Sequence, residues 1–338
     1  MKIYKKFESD PELSDWGIAV PLLKSRAVQI YDECQKNPSL KNKIGDLKNF
    51  QLTREDLIEA GHHQKFIEDL FSNDPKRIDP HLIETYELIN SDGSFNRYDP
   101  QSQKRPFIDL FKCQLSEASN SYQCAKKSIL DNGQIFYLSG GMHHAMTFGG
   151  RGFCLLNDAI ISIRKLQKEK LIKTAWVIDV DVHKGDGTAE MSLNDDSITT
   201  FSIHMKNGWP LDMGEGPWQI PSSIDVEIED HDNDQYMVKF RDGLYQLNSN
   251  FSKPDFVFVN LGGDPYEKDS LKSSGLINLN REQMLQRNLL LFRFVRGLEI
   301  PVLWTMGGGY GPHSYETYAD FFNEISDLIH AADTFEVV

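Results

Sequence analysis

The segment Asp179-Val-Asp181-Val-His183 spaces two carboxylates and an imidazole two residues apart. In an extended strand alternate residues point the same way, so these three would share a face. Two Asp and a His are suitable ligands for a divalent metal. The same residues could instead cap neighbouring helices from a strand end. Asp264 follows a similar apolar run and two glycines, and could supply a further ligand. A set of two Asp and one His would leave an open coordination position, as a catalytic zinc site needs.

His143-His144 ends the glycine-rich stretch Ser139-Gly-Gly-Met. Each ring would need an acceptor to fix its tautomer, and Asp179 and Asp186 are candidates. A metal-binding pair or a surface turn would give the same dipeptide. His62-His63 sits in a helix-like segment without such a turn, and a structural role is favoured there. Tyr310 follows three glycines, which let backbone approach a ligand closely. Its phenol could donate to a developing oxyanion, or be one more core aromatic among 12 tyrosines. Gly149-Gly150-Arg151-Gly152-Phe153 matches no nucleotide-binding fingerprint and reads as a loop that sets Phe153 on a pocket wall.

These residues need elements to hold them. Five apolar runs read as buried parallel strands: Ile135–Leu138, Ala175–Val182, Ile198–Ile203, Phe256–Leu261 and Val302–Met306. Helix-like segments lie among them at Asp158–Lys170, Arg281–Arg296 and Ser314–His330, the first with Asn157 or Asp158 placed to cap it. Alternating strands and helices predict a wound α/β sheet. Its ligand sites would form at the carboxyl ends of the strands. All five runs end in glycine, histidine, aspartate or tyrosine, which packing alone does not explain. The first 130 residues read differently, as helices and loops (Leu23–Cys34, Arg54–Ser72, Leu115–Leu130) around the edge and rim of a single domain spanning 1–338.

The 338 residues carry 36 Lys and Arg against 50 Asp and Glu, a net charge of −14. Direct nucleic-acid binding, which needs a basic footprint, is not expected. No apolar stretch approaches a membrane span, and the amino-terminal MKIYKKFESD lacks the apolar core of a signal peptide. Cys34, Cys113, Cys124 and Cys154 are scattered, with no CxxC, and read as reduced cytoplasmic thiols.

Taken together, the sequence resembles the histone deacetylase family, in particular bacterial zinc-dependent members close to class IV. GGMHHA (140–145), GFCLLNDA (152–159), VIDVDVHKGDGTAE (177–190), SIHM (202–205), NLGGDP (260–265) and GGGY (307–310) carry the likeness, in order, over roughly residues 130 to 325. The resemblance implies the three-layer arginase/deacetylase fold, an α/β architecture with a mainly parallel eight-stranded sheet flanked by helices. It implies one zinc ion (Zn2+) on Asp181, His183 and Asp264. His144 would be the general base, His143 its electrostatic or acid partner, and Tyr310 the donor to the amide carbonyl. Asp179 and Asp186 would orient the histidines. Gly152, Phe153 and Trp209 would line a substrate channel. A potassium ion (K+) would use Asp179, carbonyls at Asp181 and His183, and Ser202. The implied substrate is an acyl-lysine protein or peptide, with an acetylated polyamine as the alternative. A binuclear manganese ureohydrolase and a non-catalytic acyl-lysine binder are weaker readings. Lys184 and Trp209 depart from the commoner residues of the family, and the HPE-type opening is missing.

Overall fold

The computed structural model describes residues 1–5, 12–23, 25–41 and 43–333. Among these residues eight strands occur: β1 (Lys2–Lys5), β2 (Ile44–Asp46), β3 (Gln134–Tyr137), β4 (Ala175–Asp179), β5 (Ile198–Met205), β6 (Ile224–Ile228), β7 (Phe256–Asn260) and β8 (Val302–Thr305). They form one sheet in the order β2-β1-β3-β8-β7-β4-β5-β6, and every pairing is parallel. The expected sheet of eight strands is thus present, and it is wholly parallel.

The helices are α1 (Ser25–Lys36), α2 (Pro38–Lys41), α3 (Arg54–Glu59), α4 (Gln64–Leu70), α5 (Pro75–Thr85), α6 (Phe107–Leu130), α7 (Asp158–Lys168), α8 (Asp186–Met191), α9 (Asn233–Asn250), α10 (Arg281–Gly297) and α11 (Glu316–Asp333). Strand side chains explain the three layers. Along β4, Ala175 and Val177 join one hydrophobic cluster, and Trp176 and Ile178 join the other. Along β7, Phe256 and Phe258 face the first cluster, and Val257 and Val259 the second. A strand covered on both faces has no polar side to show, hence the continuous apolar runs.

Each discrepancy with the sequence reading has a local cause. β1, β2 and β6 lie at or near the sheet edges, and they are short or alternate apolar with polar residues, as in Ile224-Asp-Val-Glu-Ile228. A search for continuous apolar runs passes over them, and two of them fall in the region read as helix and loop only. The segment expected to be one helix over Arg54–Ser72 is two, broken at Gly61, whose φ is +106°. Helix α9 was not anticipated. Its buried stripe is Tyr236, Phe240, Gly243, Leu244 and Leu247, with Gly243 set against Val226 and Phe201 of the sheet and polar residues on the remaining faces. Lys24, inside the expected Leu23–Cys34 helix, and residues 6–10 of the amino-terminal stretch lie outside the described residues. Among the described residues, no helix is long and apolar enough to cross a membrane.

Candidate metal centre and catalytic cavity

The β4 ladder ends at Asp179, three residues short of the expected strand, with Asp179 opposite Ser202 of β5 and Asn260 of β7. The chain nevertheless stays extended. Val180 N–H donates to Asn260 O at 3.0 Å, and Met205 N–H to Val182 O at 2.9 Å. Val180 and Val182 both enter the second hydrophobic cluster, which leaves Asp179, Asp181 and His183 on the other side. Each carboxylate also ties its neighbours down. Asp179 Oδ1 accepts from Asp181 N–H (3.0 Å) and Asn260 Nδ2 (2.9 Å), Asp181 Oδ1 from His183 N–H (3.0 Å), and Asp264 Oδ1 from Val182 N–H (3.0 Å).

Asp181, His183 and Asp264 are buried, and one ligand atom from each lies within 4.8 Å of the others. His183 Nδ1 stands 3.3 Å from Asp181 Oδ1 and 3.2 Å from Asp264 Oδ2. Its Nε2 lies 3.3 Å from Ser273 Oγ. An Nε2–H directed at that oxygen leaves the Nδ1 lone pair facing the carboxylates, the tautomer a metal ligand needs. Burial and the neighbouring Asp181 carboxylate push the Asp264 carboxyl above its ordinary value. Burial acts the same way on Asp181, but His143 and His183 outweigh it and hold that carboxyl well below its ordinary value. Two like charges buried around an imidazole fit a divalent cation, which would relieve their repulsion. The surrounding backbone fits too. A Cβ at Gly308 would lie 2.6 Å from carboxylate oxygens of both Asp181 and Asp264, so only glycine leaves the group room.

Beside this group, His143 Nδ1 is 2.6 Å from Asp179 Oδ2, and His144 Nδ1 is 2.6 Å from Asp186 Oδ1. The two imidazole centroids are 3.8 Å apart. Their environments differ. Burial alone would lower His143, yet Asp179 and Asp181 raise it to about 9. Burial holds His144 well below its ordinary value, reinforced by His143 and His183. A neutral imidazole next to a cationic one is a division suited to base and acid roles.

His144, His183 and Tyr310 lie at the inner end of a cavity of about 400 Å³, the open space at its mouth included. Gly152, Phe153, Trp209 and Leu271 line its walls, and Glu87, Arg97 and Ser273 complete the lining. The Trp209 ring stands edge-on to His144 and His183, with centroids 4.5 and 5.4 Å away. A Cβ at Gly152 would come within 2.4 Å of Trp209 and 2.6 Å of His144. Ser202 lies beside Asp179 in the ladder, and its Oγ accepts from Gly185 N–H at 3.3 Å. The chain thus draws into one region every residue that the sequence singled out for metal, base or channel.

Sequence reasoning missed several residues that hold this region. Arg26 Nη1 and Nη2 donate to the carbonyls of Gly307, Gly308 and Gly309 at 2.8–3.0 Å. Asp269 accepts from Tyr310 N–H (2.7 Å) and Leu271 N–H (2.8 Å), which fixes the loop presenting the phenol. Glu87 and Arg97 pair at 3.2 Å, with the guanidinium 5.6 Å from the Phe153 ring centre. Asp269 shares a strand-end loop with Asp264, a usable signal, whereas Arg26, Glu87 and Arg97 carry none. His62 is a packing residue: Asn157 N–H donates to its Nε2 (3.2 Å), and its Nδ1 faces Met146 O (3.1 Å).

Comparison with known proteins agrees with this arrangement. An HDAC homolog from Aquifex aeolicus superposes with a TM-score of 0.72 at 20% identity, covering 96% of this chain and 84% of that one. An HDAC homolog complexed with SAHA gives 0.69 at 18% identity, with 96% and 84% covered. At these identities the likeness establishes the fold, the eight-stranded parallel arginase/deacetylase type. An uncharacterized protein of Picosynechococcus sp. is 32% identical over 188 residues, 55% of this chain and 59% of that protein. Histone deacetylase 1 of Homo sapiens is 28% identical over 244 residues, 68% of this chain and 48% of that protein. The chain therefore matches about half to three-fifths of the length of these curated relatives. The family described as histone deacetylase domain matches residues 20–325, nearly the whole sequence, and the chain belongs to that family.

Proposed function

We propose that the chain is a zinc-dependent amidohydrolase, folded as one domain, that removes acetyl or other acyl groups from the Nε-amine of lysine in proteins and peptides. The observation that carries this is the pair of His–Asp hydrogen bonds at 2.6 Å set beside the Asp181–His183–Asp264 group. Those three residues would hold the zinc, which supplies Lewis acidity towards water and the scissile carbonyl. His144, its Nδ1–H held by Asp186, takes the proton of the attacking water at Nε2. His143, held cationic by Asp179, delivers a proton to the leaving amine. Tyr310 donates to the developing oxyanion, an interaction worth about 3 kcal/mol. Gly152, Phe153 and Trp209 enclose an aliphatic stem between the mouth and the reacting amide. Asp179, Ser202 and the carbonyls of Asp181 and His183 would hold a potassium ion.

Among the described residues a single group is close enough to hold a metal, which supports a mononuclear centre over two manganese ions. At the mouth the Glu87 carboxylate already has a cationic partner in Arg97, an arrangement poorly matched to the bare ammonium groups of a polyamine. Cys34, Cys124 and Cys154 are buried thiols outside any disulfide, which supports a reducing, cytoplasmic setting. The test is a panel of acyl-lysine peptides and acetylated polyamines with zinc-loaded protein, with and without chelator. Chelator-sensitive cleavage of the peptides is expected, with large losses in Tyr310→Phe and His144→Ala. Full activity in both variants would sink the reading, and a preference for acetylpolyamines would move the substrate to small amides.

A further inference from the structure

Arg151 has no part in the reaction outlined above, yet it faces both the Asp186 carboxylate that holds His144 and the Trp209 ring of the cavity wall. Its backbone is pinned by a tight turn, with Arg151 N–H donating to Cys154 O (2.9 Å) and Cys154 N–H to Arg151 O (2.8 Å). From there the guanidinium Nη1 lies 3.3 Å from Asp186 Oδ2. Asp186 is fully buried, and Oδ2 has no hydrogen bond among the described residues, so Arg151 is a countercharge for the oxygen that His144 leaves unused. The same guanidinium lies 5.1 Å from the Trp209 ring centre and 4.8 Å from that of Trp218, and its Nη2 is 3.0 Å from Met213 Sδ. Trp209, Met213 and Trp218 all belong to the segment 207–220, whose regular structure is limited to one short turn at Pro217–Gln219. A planar cation set against two indoles is a favourable contact that a lysine ammonium reproduces poorly.

We propose that Arg151 is a positioning residue that clasps the channel wall to the His144–Asp186 pair, so that one side chain orders both the aromatic wall around the substrate stem and the base that acts on it. The catalytic half of this inference rests on the amidohydrolase reading, whereas the clasp does not. Without Arg151, segment 207–220 loses the contact shared by its two tryptophans, and Asp186 keeps a buried oxygen with nothing opposite.

The test compares zinc-loaded full-length wild type with Arg151→Ala, Arg151→Lys and Trp218→Leu. Tryptophan quenching by acrylamide reads the clasp without any turnover. Of the five tryptophans, Trp16, Trp176 and Trp304 are at most 1% exposed, so quenching reports Trp209 and Trp218. Arg151→Ala is expected to increase quenching, raise KM for an acyl-lysine peptide and lower kcat by about 10- to 100-fold, the range seen when a partner orienting a site residue is lost. Arg151→Lys keeps a cation opposite Asp186 and is expected to regain most of kcat while quenching and KM stay altered. Trp218→Leu is expected to raise KM and the quenching of Trp209 with kcat unchanged. It also tests the clasp should Arg151→Ala fold poorly. Unchanged quenching in Arg151→Ala and Trp218→Leu overturns the clasp. Wild-type kcat in Arg151→Ala, or equal kcat in the Ala and Lys variants, overturns the link to the base. A wild type that cleaves no acyl amide contradicts the amidohydrolase reading instead, and the quenching result still decides the clasp.

Discussion

Asp186 accepts the Nδ1–H of His144 at 2.6 Å across 42 residues of sequence, and the two residues are 0% and 3% exposed. A carboxylate can only accept, so the bond fixes the imidazole with its Nε2 lone pair free towards the cavity. An asparagine can present its amide N–H instead and favour the opposite tautomer. Asp186→Asn is therefore expected to lower kcat by about 10²- to 10⁴-fold, as when the acid behind a catalytic histidine is replaced. Steady-state rates beside a thermal melt check it, and a near-normal kcat would show that the tautomer is set elsewhere.

Gly152 leaves no room for a side chain in the cavity wall. Its φ is +52°, and a methyl there would press on Trp209 and His144 at once. Gly152→Ala is expected to cost about 1–3 kcal/mol in stability and to abolish most deacylase activity, because Trp209 and His144 must both shift. Denaturant melts and kcat/KM measure the two effects separately.

Removing metal should be visible without any substrate. Asp181 and Asp264 are buried like charges, so binding a cation to the folded chain alone raises its stability by about 2.7 kcal/mol at a hundredfold excess over Kd. Zinc added to metal-free protein is expected to raise Tm, chelator to reverse the change, and Asp264→Ala to eliminate it. A Tm indifferent to zinc in the wild type would count against the centre.

His62 gives the chain an acid-sensitive point outside the group of residues assigned to metal, base and channel. Burial lowers its pKa to about 4 in the fold, against 6.5 for the free ring. Between those values the unfolded chain binds the proton and the folded one does not, so stability falls as pH drops from 6.5 towards 4. The full effect is about 3 kcal/mol. Urea melts from pH 7 to 5 should show a shallower pH dependence in His62→Gln than in wild type, although the variant starts less stable. Equal slopes would mean that the ring titrates freely in the fold.

The centre was legible because its chemistry sits in contiguous runs at strand ends. Asp179, Asp181 and His183 announce a shared side by their spacing, and the extended chain keeps that spacing even where the ladder stops. The central strands were legible because both faces are covered. Strands β1, β2 and β6 were not, since edge position makes them short or mixed in polarity, and α9 hides its apolar stripe among polar residues. Arg26, Arg97 and Arg151 were illegible for another reason. An arginine reads as surface charge in a sequence, and only the fold shows that Arg26 grips a glycine run and Arg151 faces Asp186.

The grip of Arg26 on Gly307, Gly308 and Gly309 joins residues 281 to 283 positions apart. A ribosome adding about 5–20 residues per second needs roughly 15–60 s to supply the second half of that contact. Until then the guanidinium has no carbonyls to hold, and β3 likewise waits for β8, though over a shorter stretch of chain. The glycine run behind Tyr310 is consequently fixed only after all eight strands of the sheet have been made.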